Sequence, residues 1–463
     1  MGQEEVKKAL KKSGSWLLSN EIAKASGSSL KSIQSSLRRL VKWGEIKKEP
    51  ASKVIKGSGR LKEKSFAGFA YKIKDYKTRD DLKLKNKTVL LRLDLNSKYR
   101  PLFTPTENFS NHLPTILELI EKQAKIVILT HQSPETNSLQ PHAAYLTKKL
   151  NQKVTYIEDI LGKEAQEKIQ NLHPKEVLLL KNLFSLKEEL HSKQKKQKKT
   201  KLVQTLSKLA DCYVNDSFSL AHLDYASLTG FPLTLTSAVG RYFEKEIEFA
   251  NHLLKPSQPC IYLLGGNKPI QLLPFMKKSL EKDRVDLILT SGLISHLLHI
   301  AKGYKLGGQE HDLKQNKFKV TSEIKKLAKT TNIVLPKDYS ISTFGVRENI
   351  SLNHLPIYQS LQEIGKETLE NYVSMIKKAK TILIKGTFGK IESPEFQEST
   401  RALLEEISKS DAFTFVLGTS TVNAFKEFNI PIKKLNHLSK NSQPLLTYLS
   451  EKPLPGLEVL KVK

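Results

Sequence analysis

Cysteine is nearly absent: Cys212 and Cys260 are the only two in 463 residues. That excludes a disulfide framework and suits a reducing interior. Long apolar runs are missing too, with none near the ~18 residues a membrane span needs. The opening Met1-Gly2-Gln3-Glu4-Glu5-Val6 has no apolar h-region, and Val6 spoils a myristoylation signal. The expectation is a cytoplasmic chain without membrane contact. Acidic residues are in short supply, with 47 Asp+Glu against 76 Lys+Arg, a net charge of +29. Such a surplus favours polyanionic partners, nucleic acid above all, or reflects a lysine-rich composition with no partner. What is present in quantity, 39% hydrophobic side chains, excludes disorder as the main state. The length asks for two or three domains.

The charge is uneven. Residues 1–73 carry 17 Lys+Arg against 6 Glu, a net of +11, which leaves +18 for the other 390. A second knot, Lys193, Lys195, Lys196, Lys198, Lys199 and Lys201, reads as a solvated low-complexity loop. Within the first 73 residues, Glu4–Lys12 has helical amphipathicity, and Ser19 or Asn20 can cap a second helix. Leu30, Ile33, Leu37, Leu40 and Val41 then recur at helical spacing, predicting one buried stripe that ends at Trp43-Gly44. Two strand-like runs, Glu45–Lys48 and Phe66–Ile73, flank the basic loop Lys56–Arg60. Helix, helix–turn–helix and basic hairpin in this order resemble a winged helix, which is expected to bind nucleic acid, DNA in preference to RNA. The contacts would come from Lys31, Gln34, Ser35, Arg38, Arg39, Lys42, Lys47, Lys48 and Arg60. A protein-interaction module with solvated lysines is the other reading of the same pattern.

From Lys74 onward, ten β-rich runs alternate with helical stretches, from Thr88–Leu93 through Ile261–Leu264 to Phe413–Leu417. Alternation of this kind predicts parallel sheets of βαβ units in two α/β lobes. A hinge helix near Gly240–Leu254 would join them, with a ligand cleft between. The expected domains are 1–73, 74–240, 241–440 and a segment 441–463 returning to the first lobe.

Particular motifs sharpen this. Leu91-Arg92-Leu93-Asp94-Leu95-Asn96 resembles the first-strand motif of the phosphoglycerate kinase family. The likeness continues through Ile128–His131, Leu179–Leu183, Tyr213–Phe218 with Ala221-His222, and Leu264-Gly265-Gly266-Asn267-Lys268. It is completed by Gly386–Glu392 and Leu454-Pro455-Gly456, in the family's order over about residues 80–463. The resemblance implies an α/β fold of two Rossmann-like lobes behind the small α+β winged helix. It implies 3-phosphoglycerate on the first lobe and Mg-ATP or Mg-ADP on the second. Carried over by motif, Asp94, Asn96 and His131 belong to the substrate site. Gly265, Gly266, Lys268, Glu392, Gly418 and Thr421 belong to the nucleotide site.

At other family positions the chain departs from the pattern. Four substrate arginines are replaced, by Asn108, by Gln132-Ser133-Pro134, by Phe184 and by Leu223. On the nucleotide side a lysine becomes Leu272, an asparagine Lys385, an aspartate Ser420, and a glycine turn Lys440–Pro444. Losing one preorganised charge donor costs ~3–4 kcal/mol of transition-state stabilisation, and such losses are not additive. Arg100 and Lys181 can rebuild part of an anion site. The main expectation is a pseudoenzyme with weak or absent nucleotide binding and no resident metal, tethered to a nucleic-acid-binding domain. The alternative is a divergent working kinase, ATP + 3-phosphoglycerate = ADP + 1,3-bisphosphoglycerate, with an accessory domain.

Overall fold

The computed structural model describes residues 2–13, 16–42, 46–55, 68–73, 76–98, 103–133, 138–191 and 194–461. The Trp43-Gly44 stop, the Lys56–Arg60 loop, Pro134, Arg100, Lys193 and the side chains of Lys42 and Lys195 lie outside the described residues. Two compact units are formed, one from Met1–Glu244 with Pro455–Lys463 and one from Lys245–Leu454.

The first unit opens with three helices, α1 (Gly2–Ser13), α2 (Ser19–Ser26) and α3 (Leu30–Lys42). A three-stranded antiparallel sheet in the order β1-β3-β2 joins them, from β1 (Leu17–Leu18), β2 (Ile46–Pro50) and β3 (Phe69–Ile73). Gly27, at φ +67°, ends α2 in the left-handed conformation that a side chain resists. Val6, Leu10, Ile22, Ile33, Leu37 and Leu40 make the core. Leu30, expected in that stripe, is 45% exposed, because at the first position of α3 it precedes the turn that faces α1 and α2.

The rest of this unit is a six-stranded, fully parallel sheet. Its members are β4 (Thr88–Arg92), β5 (Lys125–Leu129), β6 (Val154–Tyr156), β7 (Val177–Leu179), β8 (Cys212–Asn215) and β9 (Thr236–Val239), in the order β6-β7-β5-β4-β8-β9. Thr-Val-Leu-Leu-Arg in β4 is buried at every position, as a central strand covered on both faces requires. Apolar cores lie on the two sides, one around Leu91, Phe109 and Ile116 and one around Leu90, Tyr213 and Phe231. The lysine-rich stretch is more ordered than a solvated loop. Gln197 is fully buried and its Nε2 donates to Asp224 O at 2.8 Å, while the Glu188 carboxylate accepts from the Lys201 and Leu202 amides. The lysines Lys196, Lys198 and Lys199 stay on the outside.

The second unit repeats the plan. Its strands are β10 (Cys260–Leu264), β11 (Leu287–Thr290), β12 (Ile333–Val334), β16 (Thr381–Lys385), β17 (Phe413–Leu417) and β18 (His437–Ser439), all parallel and ordered β12-β11-β10-β16-β17-β18. A small antiparallel sheet, β14-β13-β15, comes from β13 (Asp338–Thr343), β14 (Val346–Ser351) and β15 (Glu363–Ile364). In each parallel sheet the chain builds one side first and then returns to build the other. The reversals fall between β4 and β8 and between β10 and β16. Ligands of open α/β sheets bind beyond the carboxyl ends of the strands at such a switch point.

Candidate active site

Beyond β4 and β8, the side chains that the motifs single out turn inward. The ring of His131 stacks on Phe184 (centroids 4.3 Å apart) and meets Tyr225 edge-on. Its Nδ1 lies 2.8 Å from Arg92 Nη2, and its Nε2 lies 3.0 Å from Glu189 Oε1. A guanidinium only donates, so Nδ1 accepts and the ring's proton sits on Nε2, toward Glu189. Burial first, then the Arg92 charge, pushes the imidazole down to about 4. Arg92 is fully buried, with its Nε donating to Ser227 Oγ at 2.9 Å. Burial lowers the proton affinity of this guanidinium, and the Glu189 charge opposes that fall. Phe184, where the resemblance implies an arginine, is the lid on that cluster.

Asp94 is 9% exposed, accepts from Ser219 Oγ, and takes the Asn96 amide at 3.2 Å, while the Asn96 side chain faces solvent. Behind it, His112 Nδ1 lies 2.9 Å from Asp216 Oδ2. Asp216 Oδ1 accepts the amides of Tyr242 (2.9 Å) and Phe243 (3.2 Å), bracing the first turn of helix Arg241–Leu254. Asp216 is thus a brace rather than a ligand. Lys181, considered as a replacement cation, is paired with Glu158 at 2.9 Å. Gln132 takes the place of an arginine with two bonds to the Ser97 backbone, both 2.8 Å.

The second sheet offers a different arrangement. At its switch point the loops after β10 and β16 meet backbone to backbone, Gly265 N donating to Lys385 O at 2.8 Å. A Cβ on Gly265 would stand 2.2 Å from Ser291 Oγ, and one on Gly386 2.2 Å from Gly265 O, so neither position admits a side chain. Gly266 (φ +85°), Gly386 (φ +91°) and Gly418 (φ +103°) hold left-handed backbone. Thr421 Oγ1 receives the Gly386 amide at 2.8 Å and donates to Leu417 O at 3.0 Å, tying the next loop to this one. Thr421 is a buried strut, whereas Ser420 and Glu392 are exposed. Lys268 stands exposed just before helix Pro269–Glu281, and Lys385 ends β16 with 7% exposure. Leu272, where a lysine was expected, is wholly buried among the core side chains of that helix.

Glycine turns that bring backbone into the open, with two lysines beside them, make a phosphate cradle. The donor set fits the phosphates of a nucleotide. Among the described residues no group of three or more His, Cys, Asp or Glu could hold a metal alone, and Mg²⁺ is commonly held largely by the nucleotide's own phosphates.

A family model described as "Phosphoglycerate kinase" matches residues 79–452. The chain belongs to the phosphoglycerate kinase family. It is 34% identical over 397 residues to the phosphoglycerate kinase of Methanothermus fervidus, covering 83% of this chain and 96% of that one. It is also 34% identical to that of Pyrococcus furiosus over 402 residues, 82% of this chain and 96% of the other. Among solved structures, phosphoglycerate kinase from Pyrococcus horikoshii OT3 superposes with TM-score 0.74 at 33% identity, covering 83% of this chain and 98% of that one. The enzyme from Coxiella burnetii gives 0.71 at 27%, with the same coverage.

These likenesses correct two expectations. A full-length match to phosphoglycerate kinases at this identity overturns the pseudoenzyme reading in favour of the working kinase. The same likenesses overturn nucleic acid as the main partner. The structure adds a physical reason in the N-terminal segment. Of the residues assigned to nucleic acid, Lys47 pairs with Glu244 at 2.9 Å, and Lys48 Nζ lies 3.8 Å over the Phe69 ring. Lys31, Gln34, Ser35, Arg38 and Arg39 are an exposed face of α3, and Arg60 lies outside the described residues. Sequence reasoning passed over Arg92 and Glu189, two fully buried groups linked through His131 and Ser227. It also registered Lys385 only as a lost asparagine, since nothing in the pattern shows that its charge is buried at the switch point.

Proposed function

We propose that this chain is a cytoplasmic phosphoglycerate kinase that transfers a phosphoryl group between 1,3-bisphosphoglycerate and ADP, in glycolysis, with an altered set of cations. The observation that carries the reading is the second-lobe cradle: glycine turns of β10 and β16 joined at the switch point, with Lys268 and Lys385 beside them. Phosphoryl transfer is mainly positioning and charge stabilisation, which such a cradle can supply. Mg-ADP, when bound, brings the acceptor oxygen and the metal's charge. The chain's own part is to hold the phosphates against the Gly266 turn and on two lysines. The first lobe would take the acyl phosphate near Asp94 and Asn96, with His131 as a buried support. Residues 1–73, which lie outside the matched range, would act as an accessory winged-helix module.

The test is a coupled assay of the purified full chain with 1,3-bisphosphoglycerate and Mg-ADP, following ATP. Saturable ATP formation is expected. A rate indistinguishable from the protein-free reaction at saturating substrates overturns the proposal.

A further inference from the structure

We infer that Lys385 is the cation that grips the terminal phosphate of a nucleoside diphosphate in the second lobe, a role that rests on the kinase reading for its ligand. Four observations converge on it. The side chain is 93% buried, and among the described residues no hydrogen bond or ion pair engages its ammonium group. A buried cation without a counter-ion is costly, and a bound anion removes that cost. Its place is the carboxyl end of β16, level with Leu264 of β10 and Leu417 of β17, at the sheet's switch point. Its stem runs past the Gly418 turn, where an added Cβ would lie 3.9 Å from Lys385 Cγ and 3.0 Å from Ser442 Oγ. Gly265 and Gly386 admit no side chain, so the two turns close up at the end of β16.

The charges around it agree. Burial, and after it the repulsion of Lys268, lower the Lys385 ammonium to about 8. Lys268, from the loop before helix Pro269–Glu281, is the charged group that acts on it. Leu264, Leu417, Gly418 and Ser442 from the neighbouring elements carry no charge. Two lysines converging without a carboxylate is what a phosphate-bearing ligand completes.

Titration calorimetry of the full chain with ADP, inorganic pyrophosphate and adenosine tests this, with wild type, Lys385→Met and Lys385→Asn compared at pH 7.5 and 9.5. Both substitutions are expected to weaken ADP and pyrophosphate by about tenfold or more and to leave adenosine within twofold. Wild-type affinity for ADP should fall between the two pH values as the ammonium is lost, and the variants should not share that fall. Unchanged ADP affinity in both variants, equal loss for adenosine, or no ADP binding by wild type each overturns the assignment. ADP binding that depends on Lys385, without ATP formation in the coupled assay, would leave this inference standing and remove the kinase proposal.

Discussion

A single lysine illustrates how function and stability part company. With its ammonium lowered from 10.5 to about 8, Lys385 binds a proton less tightly folded than unfolded. Below pH 8 both states are charged and the folded one bears the full penalty, ~3 kcal/mol at 1.36 kcal/mol per pKa unit. The penalty shrinks as pH rises from 8 to 10.5 and is gone above that. Lys385→Met should therefore stabilise the free protein at pH 7 by up to about 3 kcal/mol in urea unfolding. The gain should fade by pH 10.5. A variant no more stable than wild type at pH 7 would mean that the charge is already compensated. His131 makes the opposite point. Its motif was legible in the sequence, but the direction of the ring was not, because Arg92, Glu189 and Ser227 that hold it come from three separate segments.

Among elements, the turn after β16 is the most exacting. Gly386 combines φ +91° with a would-be Cβ 2.2 Å from Gly265 O. Gly386→Ala should push the two loops apart, costing about 2–3 kcal/mol of stability and reducing ADP affinity more than tenfold. Denaturant midpoints and calorimetry on the same preparation would show both losses, and an unaffected ADP affinity would separate this turn from the phosphates. The ten expected strand runs correspond to the strands with an apolar run, the short edge strands β6 and β12 included. Strands β9 and β18 escaped notice because polar residues interrupt their apolar pattern, Thr236-Ser237 in one and His437 and Ser439 in the other. The sheet β13–β15 escaped because its outer strand Val346–Ser351 is polar and half exposed. Fold class followed from alternation of strands and helices. Site chemistry did not, because it depends on which loops a switch point brings together.

For the molecule as a whole, buried histidines set the acid limit. Burial holds His131, His142 and His299 down to about 4 and His296 to about 3, against an ordinary 6.5. They are neutral when folded and take up protons on unfolding below 6.5. Their contribution is complete above pH 6.5 and is lost as pH falls toward 4, at about 1.4 kcal/mol per pKa unit for each. Urea unfolding free energies at pH 7, 5.5 and 4.5 should fall steeply in that order, and a flat profile would refute the assignment. Charge, the most conspicuous feature of the composition, turns out to say little about the reaction. Of the +29, +11 lies in residues 1–73, whose apolar side chains between Val6 and Tyr71 pack into clusters of their own.

The return of Pro455–Lys463 to the first unit has a bearing on how that unit folds. Gly456 N donates to Ala221 O at 2.9 Å, Leu457 and Leu460 are buried, and Lys461 bridges Tyr76. The segment that completes the first lobe is thus separated from the rest of it in sequence by the whole of Lys245–Leu454. Contacts of such long sequence separation carry a large loop-closure cost and form slowly. The second lobe, drawn from one continuous stretch, has no such wait.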